Sequence, residues 1–380
     1  MRRDQKTVAH ITTVHHPRDP RIFYKQLQTL QRAGYNVQFV APESGSGPVD
    51  GISIVGISSL AQDRAASYWR RFRAQPEVFW RAWQCRADLY HIHDPELLPL
   101  AYLLHLARGV PVVYDMHEDF ASQGGVRGRF IRMMETWAFS WLQHVILAET
   151  SYREIISEEP VEATLIANYA RSSSHQVKED NEPPKAPSRL LYTGTVADER
   201  GLGTMLDVME QVRERGRPER LRMVGVCHRS GERTTALRRL RRLDGTASWV
   251  GDGAYVDATE MPPHYRWADV GLVLCRPTPN LRRSLPTKFF EYLQYGLPIL
   301  CTDVPLWRDF VERHACGTVV PANDSDAVLD VLLRWRNEPE RYRSYAENAR
   351  AAASQYRWEE MGGRLSALYD RLLEDSGPTG

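Results

Sequence analysis

The stretch from residue 8 to 42, VAHITTVHHPRDPRIFYKQLQTLQRAGYNVQFVAP, contains the pattern that decides the fold. A strand-like apolar run comes first. A helical segment follows with Phe23, Leu27 and Leu30 on one face, and a second strand-like run begins after Gly34. Similar strand-like runs recur at DLYHIHD, VPVVYDMHE and HVILAET, with helical segments between them. This alternation predicts βαβ units, which form a parallel sheet with helices on both faces.

A change of composition near the middle of the chain indicates a second domain. Residues 171–188, RSSSHQVKEDNEPPKAPS, are polar, charged and proline-rich, which is typical of a linker. Alternation then resumes from RLLYTG to CGTVVP. We therefore predict an α/β fold with two facing, doubly wound Rossmann-like domains and an interdomain cleft that holds the ligands. The predicted boundaries are 1–172 for the N-terminal domain, 173–188 for the linker, 189–355 for the C-terminal domain, and 356–380 for a closing helix and tail.

The composition of the whole chain excludes several classes of protein. With 49 basic and 48 acidic residues, the chain has no net field that would recruit nucleic acid. The 5 scattered cysteines predict buried thiols in a reducing compartment, not disulfides or zinc ligands. No apolar run approaches the roughly 20 residues of a membrane span or resembles a signal peptide, so we expect a cytoplasmic protein.

Residues 284–300, SLPTKFFEYLQYGLPIL, predict a short helix that carries chemistry. Pro286 is suited to the first turn of the helix and Gly296 to its end. Lys288 and Glu291 are three positions apart and share a face close to the helix N-terminus, which favours an anion. Lys288 and the backbone amides would hold a phosphate, and Glu291 would accept hydrogen bonds from vicinal ribose hydroxyls. The alternative is an ion pair between the two side chains on a solvent-exposed face.

The same stretch resembles a known family. PTKFFEYLQYGLPIL followed by TDVPLWRDFVE is similar to the nucleotide-sugar segment of family 4 glycosyltransferases, the retaining group with the GT-B fold. That family often has two glutamates eight positions apart, and Glu291 matches the second, which binds the ribose. Arg283 stands at the position of the first, so the acidic contact to the donor sugar is absent. Lys288 matches a branch of the family in which a lysine contacts the diphosphate.

A second segment, LLYTGTVADERGLGTML, supports this resemblance. Arg200 precedes the helix-opening Gly201 and matches a basic residue that neutralises the diphosphate leaving group. Thr195 replaces another basic residue that the family often has. The alternative is an ordinary turn between a strand and a helix. The predicted donor-binding set is Gly194, Thr195, Arg200, Ser284, Lys288 and Glu291.

The N-terminal segment resembles the family's first βα unit in a branch with an aspartate-x-arginine loop, here Asp19 and Arg21. Because the glycines of a dinucleotide-binding loop are missing, hydride transfer loses support. DLYHIHDPELL places His91 and His93 on one face of a strand end. His93 matches the position that reaches the donor sugar in this family.

VVYDMHEDF repeats this arrangement, with Asp115, His117 and Glu118 at the end of the next strand. We predict that both clusters lie at the cleft, where Arg21, Asp19, His117 and Glu118 would line the acceptor side. One alternative is a divalent metal held by His91, His93 and His117, as in a hydrolase that activates water. Another is that the histidines merely cap strand ends.

The segment Asp324-Ser325-Asp326 mimics the metal-binding Asp-x-Asp of other glycosyltransferases. It lies between a strand-like run and a helical run, so we interpret these residues as helix caps. We therefore predict a metal-independent reaction that needs no cofactor.

Residues 64–86, RAASYWRRFRAQPEVFWRAWQCR, interleave aromatic residues with six arginines. Amphipathic helices rich in cations can lie on an anionic membrane surface. The resemblance also implies acceptors that are often lipid-linked. The alternative is that the aromatic rings pack onto the sheet while the arginines face water.

These observations together predict a retaining glycosyltransferase, with His93, Arg200 and Lys288 as the catalytic residues. The donor would be a UDP- or GDP-linked sugar held by the C-terminal domain, and the acceptor a glycan or lipid-linked molecule, as in cell-surface polysaccharide synthesis. We expect the protein in the cytoplasm or on the inner face of the membrane. The alternatives are a metal-dependent hydrolase, a catalytically silent nucleotide-sugar binding protein and an epimerase of the same fold.

Overall fold

The computed structural model describes residues 6–61, 68–119, 124–172 and 186–375. Two compact units make up the chain, and each has its own core. The first unit contains Met1–Asn168 and Trp358–Gly380, and the second contains Tyr169–Arg357. The predicted linker, 173–188, falls mostly outside the described residues.

The first unit is built on an eight-stranded sheet in the order β3-β4-β2-β1-β5-β6-β7-β8. All neighbouring strands are parallel except β3, which runs antiparallel to β4 at the edge. The strands are β1 (Thr7–Ile11), β2 (Asn36–Ala41), β3 (Gly47–Val49), β4 (Ile52–Gly56), β5 (Leu89–Ile92), β6 (Val112–Met116), β7 (His144–Leu147) and β8 (Ala163–Leu165).

Helices connect these strands as the alternation predicts. The first is a π-helical turn, Ile22–Leu27, continued by α1 (Gln28–Arg32). Gly34 follows it with a φ of 95°, a left-handed conformation that glycine adopts without strain. The others are α2 (Tyr68–Gln84), α3 (Leu98–Arg108) and α4 (Gly125–Phe139).

The second unit contains a six-stranded parallel sheet in the order β11-β10-β9-β12-β13-β14. The order reverses between β9 and β12, and the carboxyl ends of such a pair of strands form a crevice. The strands are β9 (Arg189–Thr193), β10 (Arg220–Val224), β11 (Ala247–Val250), β12 (Val270–Val273), β13 (Ile299–Thr302) and β14 (Gly317–Val320). The helices are α5 (Leu202–Glu214), α6 (Ser230–Arg242), α7 (Pro262–Trp267), α8 (Thr287–Gln294), α9 (Pro305–Arg313), α10 (Ser325–Asn337) and α11 (Pro339–Ala353).

The last helix, α12 (Trp358–Asp375), packs in the first unit. Its Trp358 Nε1 donates to Thr29 Oγ1 at 2.9 Å, and Tyr35 donates to its Asp370 at 2.6 Å. The chain therefore returns to the first unit after the second is complete.

Two smaller predictions are confirmed. All 5 cysteines are buried, free thiols. Asp324 caps α10, because its side chain accepts a hydrogen bond from the amide of Ala327 at 2.9 Å.

No helix in the described parts of the chain combines the length and hydropathy that a membrane crossing requires.

Candidate functional site

The candidate site of the second unit lies at the crevice between β9 and β12. The chain leaves β9 through Gly194, which has a φ of 104°. Gly225, which follows β10, comes so close that a Cβ on it would collide with the carbonyl oxygen of Gly194. Two adjacent strands thus end in glycine, which lets the two turns approach each other closely; the amide of Gly194 donates to the carbonyl of Val224 at 2.9 Å.

Lys288 in the first turn of α8 extends over this glycine turn. Its ammonium lies 4.4 Å from the centre of the Tyr192 ring, and a Cβ on Gly194 would lie 3.4 Å from its Nζ. Burial lowers the pKa of Lys288, and so does the neighbouring Arg200 guanidinium, whereas Cys275 and Glu291 oppose this effect. Lys288, Arg200 and the Gly194 turn therefore share one small region.

Glu291 lies one turn further along α8 and is half-buried. Its Oε2 accepts a hydrogen bond from the hydroxyl of Tyr265 at 2.6 Å. Burial and the adjacent carboxylate raise the pKa of Tyr265 well above its usual range, so this hydroxyl stays a donor. Among the ion pairs of the described residues, none joins Lys288 to Glu291, so the predicted alternative of a surface ion pair does not form.

Buried contacts fix the position of α8. The hydroxyl of Tyr292 donates to the carbonyls of Leu191 in β9 and Leu272 in β12, at 3.2 and 3.3 Å. Its ring fills the space over Gly271, where a Cβ would collide with it. The helix begins directly after Pro286 and is followed by Gly296 with a φ of 63°, as predicted.

Thr195, Arg200 and Ser284 surround these groups. Arg200 ends a short turn, Asp198–Arg200, and a Cβ on the next residue, Gly201, would collide with the carbonyl of Leu274. The carbonyl of Thr195 accepts a hydrogen bond from Tyr192 at 2.5 Å. The carbonyl of Ser284 accepts one from the indole of Trp307 at 2.9 Å. The structure thus brings Gly194, Arg200 and Lys288 together, with Glu291 one turn further along α8. The roles of all six predicted donor-binding residues stay predictions.

The first unit contains a buried polar network at the corresponding edge of its own sheet. His91 and His93 stack on each other with ring centres 4.5 Å apart, which confirms that they share a face. His93 Nε2 and His10 Nδ1 are 2.9 Å apart. The Tyr369 hydroxyl of α12 bonds to both His10 and His91, at 2.9 and 2.6 Å. The pKa of His93 is lowered to about 3, and burial is the main cause.

Arg21 and Asp115 form the charged part of this network. The guanidinium donates two hydrogen bonds to the carboxylate, at 3.1 and 2.8 Å, and Gln26 donates a third at 2.7 Å. Burial would raise the pKa of Asp115, but Arg21 and the nearby imidazoles hold it well below its usual range. Asp19 accepts hydrogen bonds from the amides of Arg21 and Ile22 and so holds the start of the π-helical turn.

His117 is half-buried, whereas His93 is completely buried. The Nε2 atoms of His117 and His15 are 3.0 Å apart, and His15 Nδ1 lies 3.5 Å from Asp19. Burial would lower the pKa of His15, but Asp19 outweighs it and raises the pKa to about 9. Together with half-buried Glu118, this group is the accessible part of the polar cluster. The role of His93 at the donor sugar stays a prediction.

Two sets of three side chains in this region have ligand atoms within 4.8 Å of one another: His10, His91 and His93, and His93, Asp115 and His117. The arrangement favours hydrogen bonding over metal binding. Two nitrogens on one zinc ion would lie more than about 3 Å apart given bonds of about 2.0–2.1 Å, and stacked rings do not aim their lone pairs at a common point. Asp115 is also already paired with Arg21.

Sequence reasoning missed several residues of these sites, among them His10, His15, Gln26, Tyr265 and Tyr369. His15 had a visible signal, because the pair HH lies in the loop that follows β1. Tyr265 and Tyr369 had none, since each contacts its partner only through the tertiary fold.

The two Rossmann-like units define the class of protein: an α/β enzyme fold of the GT-B type. Residues 21–168 match the family model described as Glycosyl transferase 4-like domain, and residues 187–337 match Glycosyl transferases group 1. The chain therefore belongs to the family 4 (group 1) glycosyltransferases.

Curated relatives are similar at low identity. The chain is 27% identical to D-inositol 3-phosphate glycosyltransferase 2 of Catenulispora acidiphila over 51% of its length, and this match spans only 45% of that protein. It is 24% identical to the phosphatidyl-myo-inositol mannosyltransferase of Mycobacterium leprae, over 75% of this chain and 74% of that one.

Solved structures share the fold. Sucrose-phosphate synthase from Thermosynechococcus elongatus superposes with a TM-score of 0.78 at 16% identity, over 98% of this chain and 100% of that one. Anabaena Alr3699/HepE in complex with UDP-glucose superposes with a TM-score of 0.72 at 12% identity, over 96% and 99%.

Proposed function

We propose that this protein transfers a sugar from a nucleoside diphosphate sugar to a hydroxyl of a glycan or lipid-linked acceptor, with retention at the anomeric carbon. The observation that carries the proposal is the grouping of Lys288, Arg200 and the Gly194 turn at the crevice of the second sheet, with Glu291 one helical turn away. Family membership supports the same reaction class.

The charges of the crevice suit a diphosphate leaving group. Burial is the main cause that lowers the pKa of Lys288, and repulsion from Arg200 adds to it; a bound pyrophosphate would offset that repulsion. Preorganised cations and amides stabilise negative charge as it develops on the leaving group. The acceptor hydroxyl then attacks from the face on which the diphosphate departs. In this mechanism the protein supplies electrostatic stabilisation, and neither a metal ion nor a cofactor takes part.

Glu291 suits the ribose of the donor. One carboxylate oxygen accepts from Tyr265, which holds the side chain in one orientation. The other oxygen is available to accept a hydrogen bond from a ribose hydroxyl. UDP is the nucleotide in several structural neighbours, so a UDP-linked donor is the first candidate, and a GDP-linked donor is the second.

The acceptor proposal follows the relatives. Two of them act, by name, on inositol phosphate or phosphatidylinositol. A glycan or lipid-linked acceptor in cell-surface polysaccharide synthesis agrees with those names. We place the protein in the cytoplasm, at the inner face of the membrane when it meets such an acceptor.

A thermal-shift panel of UDP-, GDP-, ADP- and CMP-linked sugars tests the proposal. We expect one nucleotide class to raise the melting temperature of the wild type. Glu291→Ala and Lys288→Ala should each reduce that shift. If no nucleotide sugar stabilises the wild type, the proposal is wrong.

A catalytically silent nucleotide-sugar binding protein is the second candidate. It is favoured by Arg283 and Thr195, which replace an acidic and a basic residue common in the family. Donor hydrolysis or transfer, measured as released nucleoside diphosphate, separates the two: binding without release would favour the silent protein. Analysis of bound metal addresses the hydrolase alternative.

A further inference from the structure

Helix α4 has two apolar faces, although a surface helix normally has one. The inward face is buried in the first unit, through Ile131, Met134 and Ala138. The outward face is a second apolar stripe at spacings of four, three and four, which follow one side of a helix. It consists of Val126, Phe130, Met133 and Trp137, which are 78%, 43%, 61% and 41% exposed.

The neighbouring helices extend this stripe. Helix α3 exposes Leu103 and Leu106, and α2 exposes Trp69, Phe72 and Trp80. Of the 11 strongly exposed large apolar side chains in the described residues, these helices carry 9.

The three helices form one continuous face. They contribute to a single core cluster, as expected when successive right-handed crossovers place them on the same side of the sheet. Trp137 of α4 contacts Tyr102 of α3, with ring centres 5.2 Å apart. Arg108 at the end of α3 stacks 3.7 Å over the Trp83 ring of α2. We call this surface the three-helix face.

The three-helix face is strongly basic. Helices α2, α3 and α4 contain four, one and three arginines, eight in all, against only two acidic residues, Glu77 and Glu135. Three of these arginines have acidic partners: Arg81 pairs with Glu77, Arg71 with Glu96, and Arg132 with Asp119 and the buried Glu135. The chain as a whole has a formal net charge of only +1. The arginines of α2 and α4 therefore lie on the same helices as the exposed apolar side chains.

We propose that the three-helix face docks on an anionic lipid bilayer, with the α4 stripe and the aromatic residues of α2 inserted among the headgroups. Tryptophan and phenylalanine between arginines are suited to the boundary between headgroups and acyl chains. The arginines complement anionic headgroups, and the elongated α4 stripe matches a flat surface. The sequence pattern indicated α2 alone, whereas the structure adds α3 and α4. This inference adds a partner to the proposed function, but lipid binding needs no nucleotide, so each can fail without the other.

Vesicle co-sedimentation tests the inference. The wild type should bind vesicles of phosphatidylglycerol and phosphatidylcholine at low salt, bind pure phosphatidylcholine weakly, and lose affinity as salt rises. Phe130→Ser with Met133→Ser should weaken binding about tenfold or more, because less apolar area enters the bilayer. Arg73→Ser with Arg127→Ser and Arg129→Ser should also weaken it at least about tenfold.

Matched controls come from the second unit. Arg238→Ser with Arg241→Ser and Arg242→Ser removes the same charge from α6, and Tyr255→Ser with Leu333→Ser removes the two other exposed apolar groups. Both should bind as the wild type does. Circular dichroism and the melting temperature verify that every variant is folded.

Four outcomes would overturn the inference. They are no binding of the wild type at low salt, unchanged binding of the α4 variants, equal loss in the α6 control, and self-association that the Phe130 and Met133 changes abolish. The last would assign the face to a second copy of the chain.

Discussion

The two units collect charged side chains at the same place, the carboxyl end of a parallel sheet, but they neutralise these charges differently. In the first unit, Asp115 is paired with Arg21 and bonded to Gln26 inside a buried network. In the second, Lys288 lies beside Arg200 over a glycine turn, and no ion pair of the described residues neutralises it. One sheet edge pairs its buried guanidinium with a carboxylate, whereas the other brings Lys288 and Arg200 close together, an arrangement that an anionic ligand would suit.

The first prediction tests whether the network in the first unit is structural. Arg21→Met leaves the Asp115 carboxylate buried without its cation, and breaking a buried pair in this way costs about 3–5 kcal/mol. We expect the urea midpoint of the first unit to fall accordingly. Arg32→Met, an exposed change on α1, is the control and should have little effect. Arg21→Met with Asp115→Asn should recover part of the loss. A loss of unfolding free energy below about 1 kcal/mol would mean that the Arg21–Asp115 pair does not support the fold.

The second prediction tests whether Lys288 in the second unit serves ligand binding and not the stability of the fold. Lys288→Met should weaken nucleoside diphosphate binding by about 2–3 kcal/mol, because a charge-assisted hydrogen bond to phosphate is lost. Without ligand, stability should be unchanged or higher, since a half-buried cation near Arg200 is removed. Calorimetric titration and urea unfolding measure the two effects. Arg282→Met in the preceding loop removes the same charge from an exposed position and is the control. If Lys288→Met lowers the stability of the unliganded protein and does not weaken nucleoside diphosphate binding, Lys288 supports the fold and not the ligand.

Much of both sheets follows from the sequence, because apolar runs and helical periodicity are local. The limits of α8 were predictable from Pro286 and Gly296, and the shared face of His91 and His93 from strand alternation. The closure of the network was not predictable: Tyr369 is 278 positions from its partner His91. The outward stripe of α4 is visible as a spacing, but periodicity alone does not tell which of two apolar faces is buried.

The third prediction sharpens the assignment of Glu291. Tyr265→Phe removes the hydroxyl that orients the carboxylate and keeps the ring packed on Tyr295. We expect the affinity for a ribonucleoside diphosphate to fall about fivefold, or about 1 kcal/mol, as for one neutral hydrogen bond. The affinity for the analogue without ribose hydroxyls should change less. Calorimetric titration of both ligands gives the ratio, and an equal loss for both would mean that Tyr265 acts on stability and not on the ribose.

The smallest predicted effect concerns the accessible part of the first unit, His15 beside Asp19. The pKa of His15 is raised to about 9 in the folded chain, whereas an unfolded histidine titrates near about 6.5. A raised pKa means that the stabilisation is complete below the unfolded value and disappears as the pH rises through the folded one. The pKa of Asp19 is lowered, so its contribution is lost only in acid.

Between pH 6.5 and 9 the wild type should therefore lose about 1 kcal/mol of its free energy of unfolding relative to His15→Gln, after allowance for partial solvent exposure. Burial lowers the pKa of His10, His91 and His93, so these groups titrate below this range. Urea midpoints at several pH values measure the difference. If it stays constant across the range, His15 is not held as a cation beside Asp19.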